Sequence, residues 1–419
     1  MFTLRHAKKL ANSLGPGLTT GAADDDPSGL ATYSQAGAQF GASLLWTLAL
    51  TTPLMIGIQL VSARIGWMTG QGLAVSMCRV LPRWVALGLV ALLVFANTLN
   101  ISADIAAMGA ALQLIVGGPE HGYTLVFGLL CAVLPIWLSY ETMTRVLKWL
   151  TLSLLSYVAV VFMLHVDWEK VLLHTFIPNF ENNSHYWMMV VAILGTTISP
   201  YLFFWQAAQE AELRQRNKDI DSVVQSVQFM REHLYRMKLD TSIGMIFSNV
   251  IAFCVMLATA LTLNQHGITD IESTKQAAEA LRPIAGNFAF SLFALGIIGT
   301  GMLAVPVLAG SAAYAVADVF QWRSGLDHHL SEAKGFYAVL IFATLIGTLV
   351  DFTSLDPIKA LIYSAVVNGV VAVPIMAVMM WMGGNKLILG NYTLTLRHKV
   401  IGWLATLIML LPIIAMLIP

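Results

Sequence analysis

Apolar residues occur along the chain in long runs that short polar stretches separate. Each run is close to the 20 or so residues that an α-helix needs to cross the hydrocarbon core of a bilayer. We therefore predict eleven membrane-spanning helices, with centres near residues 27, 54, 98, 131, 157, 198, 252, 303, 343, 370 and 408. The third and eighth runs contain more residues than a helix needs to cross a bilayer. The longest polar stretch, Gln209 to Asp240, has room only for a surface helix.

The composition agrees with this pattern. Hydrophobic residues make up 57% of the 419 residues and charged residues 11%, whereas soluble domains carry about 25% charged residues. The net charge is zero, so a nucleic-acid partner is not expected. No required protein partner is evident. The sequence thus predicts an all-α, multi-pass protein of the cell (plasma or inner) membrane, whose surroundings are the lipid bilayer.

The basic residues predict how the chain is oriented. With the N-terminus inside the cell, 19 of the 23 Lys and Arg residues fall in cytoplasmic segments and four fall outside. The four on the outside are Lys170, Lys275, Arg282 and Lys359. Because cytoplasmic loops of membrane proteins are enriched in Lys and Arg, we expect a cytoplasmic N-terminus and an external C-terminus.

The first apolar run is interrupted by Asp24-Asp25-Asp26-Pro27-Ser28-Gly29. A charged Asp at the centre of a spanning helix costs about 2.5–3.5 kcal/mol, and proline disfavours helical geometry at the residue before it. The helix should therefore break here. Backbone freed at this depth is tolerated only around a cavity or a binding site, and carboxylates beside free carbonyls favour a cation site over a simple kink that faces a vestibule.

A second break is predicted in the sixth run, where Gly195, Thr196, Thr197 and Ser199 precede Pro200. Interrupted helices at matching positions of two halves are typical of secondary transporters built from inverted repeats. We predict a LeuT-type 5+5 inverted repeat plus one helix. The first half would span 12–166, the second half 186–382 and the extra helix 398–419, all within one transporter domain.

The first break resembles that of the Nramp family of divalent-metal transporters, which reads D-P-G-N followed by A-T-x-x-Q-A-G-A-x-x-G. Here Asp26-Pro27-Ser28-Gly29 is followed by Ala31-Thr32 and by the run Gln35 to Gly41. The family motif M-P-H in the sixth span corresponds to Ser199-Pro200-Tyr201. The resemblance implies alternating-access transport of a divalent metal ion, with no enzymatic activity and no cofactor other than the transported ion and coupled protons.

The resemblance also assigns the metal ligands. Asp26 takes the place of the family's Asp, the ligating backbone carbonyl falls on Thr196, and Ser199 stands where the family has Met. Gly29 replaces the ligating Asn, so Asp24 or Asp25 is expected to supply the missing oxygen. Oxygen ligands suit Mg²⁺ and Mn²⁺ better than soft metals, and the chain therefore resembles the magnesium-type branch related to Nramp.

Four further residues are candidates for a proton or ion pathway: Asp104 in the third span, Tyr201 in the sixth, Asn249 in the seventh and Asn368 in the tenth. An ionisable residue within a membrane span is functional by default. The two asparagines have an alternative role as hydrogen-bonded bridges between helices. Tyr201 stands where the family has His and cannot take up a proton near neutral pH, so proton coupling is expected to be weak.

Two other functions remain open at this point. A transporter of the same fold could carry a small organic solute together with a coupling cation, with Tyr201, Phe203, Phe204 and Trp205 flanking the solute. The small, carboxylate-rich break disfavours this alternative. A membrane enzyme is the third possibility, but the chain contains no HExxH, GxSxG or phosphate-binding loop.

Overall fold

The computed structural model describes residues 16–137, 152–181, 183–216, 227–271, 273–282, 286–326, 328–350 and 356–417. Within these residues the regular structure is entirely helical. Each of the eleven predicted centres lies in a helix or at a break between two helices, which confirms the all-α membrane fold. We number the described helices by the predicted span in which each lies. Their bounds are as follows: span 1a Pro16–Asp24 and 1b Pro27–Phe40; span 2 Leu45–Thr69; span 3 Arg83–Val116; span 4 Glu120–Trp137; span 5 Leu155–Met163; span 6a Ser184–Thr197 and 6b Pro200–Arg216; span 7 Val227–Thr262; span 8 Ala289–Phe320; span 9 Lys334–Val350; span 10 Pro357–Gly384; and span 11 Leu396–Leu417.

Judged by length and apolar composition alone, eight of the described helices are able to cross a bilayer, counting Pro27–Thr69 as one. A ninth is added if the pair Leu152–Met163 and Trp168–Phe176, which is bent by 120°, forms one span. Span 9 is an apolar helix of 17 residues. Residues 12–15 and 138–151 of the predicted first half lie outside the described residues.

Short helices connect several spans. They are Gly41–Leu44, Leu73–Val80, Leu152–Leu154, Trp168–Phe176, Asn264–His266, Thr274–Glu279, Gly286–Phe288, Lys386–Leu389 and Gly390–Tyr392. In the predicted polar stretch, spans 6b and 7 extend to Arg216 and back to Val227. The expectation of a separate surface helix is therefore wrong for the part of this stretch that the structure describes, because the two spans continue into it.

Both predicted breaks are present. Span 1 stops at Asp24 and resumes at Pro27, while span 6 stops at Thr197 and resumes at Pro200. Proline at the first position of a new helix is favourable, since its missing N–H would have no partner there. Each proline therefore starts the second half-helix of its span. Both breaks lie inside the bundle.

The broken spans form the centre of the bundle. Span 7 packs against both halves of span 1, span 6a packs against span 10, and span 6b packs against spans 2 and 8. Span 3 contacts spans 8, 9 and 10, and span 11 packs outside spans 2, 6a and 10. Gly195 permits the close approach of span 6a to span 10, because a Cβ there would collide with the carbonyl oxygen of Ala365.

Candidate functional site

Asp26 lies at the break of span 1 and caps the N-terminus of span 1b. Its backbone is extended (φ −71°, ψ 166°). Its Oδ1 accepts hydrogen bonds from the Gly29 amide at 2.7 Å and the Ser28 hydroxyl at 2.9 Å. A carboxylate at this position also interacts favourably with the positive end of the helix dipole. The break therefore holds one oxygen of Asp26 in place and leaves the other to face span 3.

The second oxygen of Asp26 joins a polar cluster formed by spans 1, 3 and 10. Asn100 Nδ2 donates to Asp26 Oδ2 at 2.9 Å and to Asp104 Oδ2 at 3.2 Å. Asn368 Nδ2 donates in turn to Asn100 Oδ1 at 3.1 Å. The structure thus brings Asp104 and Asn368, two of the predicted pathway residues, into one hydrogen-bonded group with Asp26.

Asp24 and Asp25 face a different span. The hydroxyl oxygen of Ser248, on span 7, lies 2.7 Å from Asp24 Oδ2 and 2.9 Å from Asp25 Oδ1. The other oxygen of Asp24 has no hydrogen-bond partner among the described residues. The three consecutive acids therefore divide between two sides of the break. The expectation that Asp24 or Asp25 supplies the oxygen missing at Gly29 stays a prediction.

The break of span 6 brings Thr196 next to the break of span 1. A Cβ on Gly29 would stand 2.9 Å from Thr196 Oγ1 and 3.3 Å from Asp26 Oδ1. Thr196 is 2% exposed, and its side chain interacts with that of Tyr33. The Thr196 hydroxyl is therefore a second oxygen near the first break, in addition to the carbonyl that the family resemblance suggested.

Ser199 and Tyr201 have partners that the sequence did not indicate. The Ser199 hydroxyl donates to the Gly195 carbonyl at 2.7 Å and to the Thr196 carbonyl at 2.9 Å. The Tyr201 hydroxyl donates to the Ala23 carbonyl at 3.0 Å. Ala23 is in the last turn of span 1a, where carbonyls lack helical partners. Tyr201 thus connects the two breaks directly.

The described hydrogen bonds of Asn249 are made to residues outside this cluster. Its Nδ2 donates to Thr52 Oγ1 at 2.7 Å and to the Leu48 carbonyl at 3.4 Å, both on span 2. The structure therefore gives Asn249 the bridging role between helices that was the alternative to a pathway role. Its neighbour Ser248 makes the contacts to the acidic break instead.

Sequence reasoning did not single out Ser248, Ser28 or the bridging role of Asn100. One signal was available for Asn100: it precedes Asp104 by four residues, so both side chains lie on one face of span 3. No comparable local signal exists for Ser248, because its partners are more than 220 residues away in sequence. Such contacts depend on how the spans pack.

The site is strongly acidic and closed to solvent. Asp24, Asp25, Asp26 and Asp104 are at most 3% exposed. Among the described residues, none of these four carboxylates forms an ion pair with Lys or Arg, and their hydrogen-bond donors are hydroxyls, an asparagine amide and a backbone amide. Buried carboxylates without a compensating charge are unfavourable. Protons or a bound cation must therefore neutralise this group.

The described residues differ between the two faces of the bundle. On the face where span 1a begins, Arg214 of span 6b donates to the carbonyls of Trp67 and Met68 at the end of span 2. On the opposite face, a cavity of about 450 Å³ lies between the ends of spans 3, 4 and 10 and the Thr274–Glu279 helix. Residues lining the cavity include Gln113, Glu120, Ser273, Lys275 and Asp356.

Comparisons with known proteins agree with the fold and extend over nearly all of the chain. The family model described as "Nramp: Natural resistance-associated macrophage protein-like" matches residues 17–419. The chain is 27% identical to the Divalent metal cation transporter MntH of Caldanaerobacter subterraneus subsp. tengcongensis, over 96% of this chain and 92% of the relative. It is 26% identical to the MntH of Verminephrobacter eiseniae, over 96% of this chain and 88% of the relative.

Solved structures give the same fold. A manganese transporter of Eremococcus coleocola, crystallised with an aromatic bis-isothiourea compound, superposes with a TM-score of 0.77 at 16% identity, covering 99% of this chain and 88% of that one. Mhp1, a nucleobase-cation-symport-1 family transporter in a closed conformation with bromovinylhydantoin bound, gives a TM-score of 0.59 at 12% identity, covering 96% and 92%. These likenesses confirm the predicted LeuT-type architecture.

Proposed function

The chain belongs to the Nramp family, and from this premise we propose that it transports divalent metal cations across the membrane by alternating access, with Mg²⁺ or Mn²⁺ as favoured substrates. The relatives are named divalent metal cation transporters. They are transporters rather than enzymes, which confirms the expectation that this chain is not an enzyme. Transport of a divalent metal ion is the coarser part of the proposal, and the preference for Mg²⁺ or Mn²⁺ is its finer part.

One observation supports a cation site above all others. Asp26 is buried between two broken helices, 2% exposed, and none of its described partners is a basic side chain. A cation that binds to Asp26 Oδ2 would supply the missing charge. Helix breaks at this depth additionally provide carbonyl oxygens that no helix uses. Asp26 is therefore the central ligand of the proposed site, with Thr196 beside it.

The oxygen-rich surroundings support the proposed preference. The groups around Asp26 are the hydroxyls of Ser28 and Thr196 and the amide of Asn100, and Ser199 replaces the family's thioether. Carboxylate, carbonyl and water ligands suit Mg²⁺ and Mn²⁺, whereas thioethers favour softer metals. Mg²⁺ usually keeps several of its waters in proteins, so few protein ligands are enough.

The alternative of an organic solute has less support. Phe203, Phe204 and Trp205 are at most 1% exposed and are packed within the bundle, where a solute would need open space beside them. None of the three cavities described for the structure is lined by these aromatic residues or by Asp26. Metal transport therefore remains the better proposal.

We extend the proposal to orientation and coupling. The excess of Lys and Arg in the segments predicted to be cytoplasmic supports a cytoplasmic N-terminus and an external C-terminus in the cell membrane. The face on which Arg214 lies is then the cytoplasmic one. Asp104, joined to Asp26 through Asn100, is the proposed proton or ion route. Because Tyr201 replaces the family's His, transport is proposed to be weakly coupled to protons.

The first test removes the charge of Asp26. Asp26→Asn keeps an oxygen that can cap span 1b, since Asn is also a good cap, but it loses the negative charge. We expect Mn²⁺ uptake into proteoliposomes to fall below one-tenth of the wild-type rate, with little change in melting temperature. Asp26→Ala should abolish transport as well. Asp167→Asn, a change at an exposed carboxylate that caps a surface helix, is the matched control. Wild-type uptake by Asp26→Asn would refute the site.

The second test addresses the substrate. Uptake of Mn²⁺ is measured against increasing Mg²⁺, Ca²⁺ or Cd²⁺, with internal pH recorded. The proposal expects Mg²⁺ and Mn²⁺ to compete at comparable concentrations and Cd²⁺ to have no large advantage. Strong preference for Cd²⁺ over excess Mg²⁺ contradicts the oxygen-based selectivity, and stoichiometric acidification contradicts weak coupling. Failure of every metal to enter contradicts metal transport itself.

A further inference from the structure

The amide of Asn100 occupies the space between two buried carboxylates. Its Nδ2 lies 2.9 Å from Asp26 Oδ2 and 3.2 Å from Asp104 Oδ2. With Nδ2 on this side, the amide donates to both carboxyl groups. The NH₂ group is thus the donor that lies between the two acids, next to the place that a cation would take.

A second observation concerns the oxygen on the other side of this cluster. Asn100 Oδ1 accepts from Asn368 Nδ2 at 3.1 Å, while Asn368 Oδ1 has no partner among the described residues. Asn100 and Asn368 are both fully buried. A buried amide oxygen without a donor is unfavourable. If both amides turn by half a rotation, Asn100 Nδ2 gains Asn368 Oδ1 as its acceptor and Asn100 Oδ1 faces Asp26.

One distance is compatible with a metal ion in that turned arrangement. An octahedral Mg²⁺ holds oxygens at about 2.0–2.1 Å, so neighbouring ligands are about 2.9 Å apart. Asn100 Nδ2 and Asp26 Oδ2 are separated by 2.9 Å. Replacing this nitrogen by Oδ1 therefore places two oxygens at the spacing of adjacent ligands without any movement of the backbone. Without a cation, the same two oxygens would repel each other.

We propose that Asn100 supplies, through its Oδ1, the amide oxygen that Gly29 lacks at the first break, and that Asn368 accepts the displaced NH₂ group. The inference rests on the proposed function, since it assigns a further ligand of the same cation site. Asn100 is an amide donor to Asp26 and Asp104 in the ion-free protein and an oxygen ligand in the metal-bound protein. The orientation of this side chain on span 3 thus depends on whether the site holds a metal ion.

Two substitutions of Asn100 separate a ligand from a simple hydrogen-bond donor. Asn100→Asp keeps an oxygen and loses the donor, whereas Asn100→Leu loses both. If Asn100 is a ligand, the dissociation constant for Mn²⁺ in nanodiscs rises at least about tenfold in Asn100→Leu, the lower end of the cost of losing a metal-site partner, and does not rise in Asn100→Asp. If Asn100 only holds Asp26 in place as a donor, both variants lose that donor to Asp26 and both bind Mn²⁺ more weakly than the wild type.

The melting temperature provides a second readout on the same proteins. Asn100→Asp without metal should melt below the wild type, and Mn²⁺ should raise its melting temperature by more than it raises that of the wild type, since a ligand stabilises the state that binds it. Asn100→Ala replaces Asn100→Leu if leucine prevents folding. Mn²⁺ binding by Asn100→Asp that is as weak as that by Asn100→Leu, or wild-type binding by both, overturns the inference.

Asn97 offers a matched control on the same span. Its Nδ2 donates to the Leu308 carbonyl and to Ser311 Oγ on span 8, so Asn97→Leu removes a buried amide that does not contact Asp26. We expect a lower melting temperature with unchanged Mn²⁺ affinity. Different results contradict the inference and the proposed function. If Asp26→Asn loses binding and the Asn100 variants bind as the wild type does, only the inference is contradicted. If the wild type binds neither Mn²⁺ nor Mg²⁺, the proposed function is contradicted.

Discussion

Ser199 stands at the position of the family's methionine, and its hydroxyl is directed back to its own helix. It donates to the carbonyls of Gly195 and Thr196. The Thr196 carbonyl, where the resemblance to the family predicts a metal ligand, therefore already accepts one hydrogen bond. We expect the side chain at position 199 to affect how readily this carbonyl contacts an ion.

Restoring the thioether should change metal preference. Ser199→Met removes the hydroxyl that covers the Thr196 carbonyl and adds a soft ligand beside Asp26. We expect the ratio of Cd²⁺ to Mg²⁺ affinity to rise at least about tenfold, because thioethers favour soft metals. Competition in proteoliposomes measures this ratio. Ser199→Leu, which has similar bulk and no sulfur, is the control, and an equal shift in both variants would contradict a role for the sulfur.

Gly29 leads to a second prediction at this scale. Gly29 replaces the family's Asn, and a Cβ on Gly29 would stand 2.9 Å from Thr196 Oγ1. Overpacking a core site typically costs about 1–3 kcal/mol, so Gly29→Asn alone should destabilise the protein and reduce transport. Adding Thr196→Ala removes the obstructing hydroxyl and should recover both. Melting temperature and Mn²⁺ uptake of the two single variants and the double variant measure the coupling.

The neighbouring Thr197 controls for the general effect of losing a threonine in span 6a. Its hydroxyl donates to the carbonyls of Ile193 and Leu194 within its own helix. Thr197→Ala should not rescue Gly29→Asn. Rescue by both alanine variants would mean that the recovery comes from a looser helix rather than from space beside Gly29.

At the scale of the helices, one hydrogen bond links the two broken spans. Tyr201, in the first turn of span 6b, donates to the carbonyl of Ala23 in span 1a at 3.0 Å. The two breaks are therefore held in register with each other. The sequence placed Tyr201 in a proton or ion pathway, but its observed partner is a backbone carbonyl at a helix end, where a donor is needed.

Tyr201→Phe tests which role is correct. The change leaves the buried Ala23 carbonyl without its donor, which costs about 1–3 kcal/mol, so the melting temperature should fall. The dependence of uptake on external pH should stay that of the wild type. Tyr363→Phe, at a half-exposed tyrosine of span 10, is the control. A changed pH profile with unchanged stability would instead support the pathway role.

Local sequence signals predicted the helices and their breaks, because each of those signals lies within one run of residues. Pro27 and Pro200 start new half-helices, as proline at a first helical position favours. The partners across the site were not predictable in this way. Ser248 joins Asp24 and Asp25 from span 7, and Asn100 joins Asp26 to Asn368, through packing between distant segments. The division into halves at 12–166 and 186–382 stays a prediction.

At the scale of the whole molecule, hydrogen bonds join the described helices on one face of the bundle, and a cavity lies on the other. Arg214 ties span 6b to the end of span 2, and Tyr314 of span 8 donates to Glu212 of span 6b at 2.6 Å. The cavity of about 450 Å³ lies on the opposite face.

The orientation of these two faces leads to the last prediction. The distribution of Lys and Arg predicts that the face on which Arg214 lies is cytoplasmic and that the cavity opens to the outside. Ser273 lines the cavity and is exposed, while Glu332 is exposed in the connection between spans 8 and 9 on the other face. In a background without Cys78, Cys131 and Cys254, Ser273→Cys should react with a membrane-impermeant maleimide in intact cells, and Glu332→Cys should react only after the cells are permeabilised. Both variants must transport Mn²⁺, so that labelling reports the functional orientation. The reverse pattern would mean that the N-terminus lies outside.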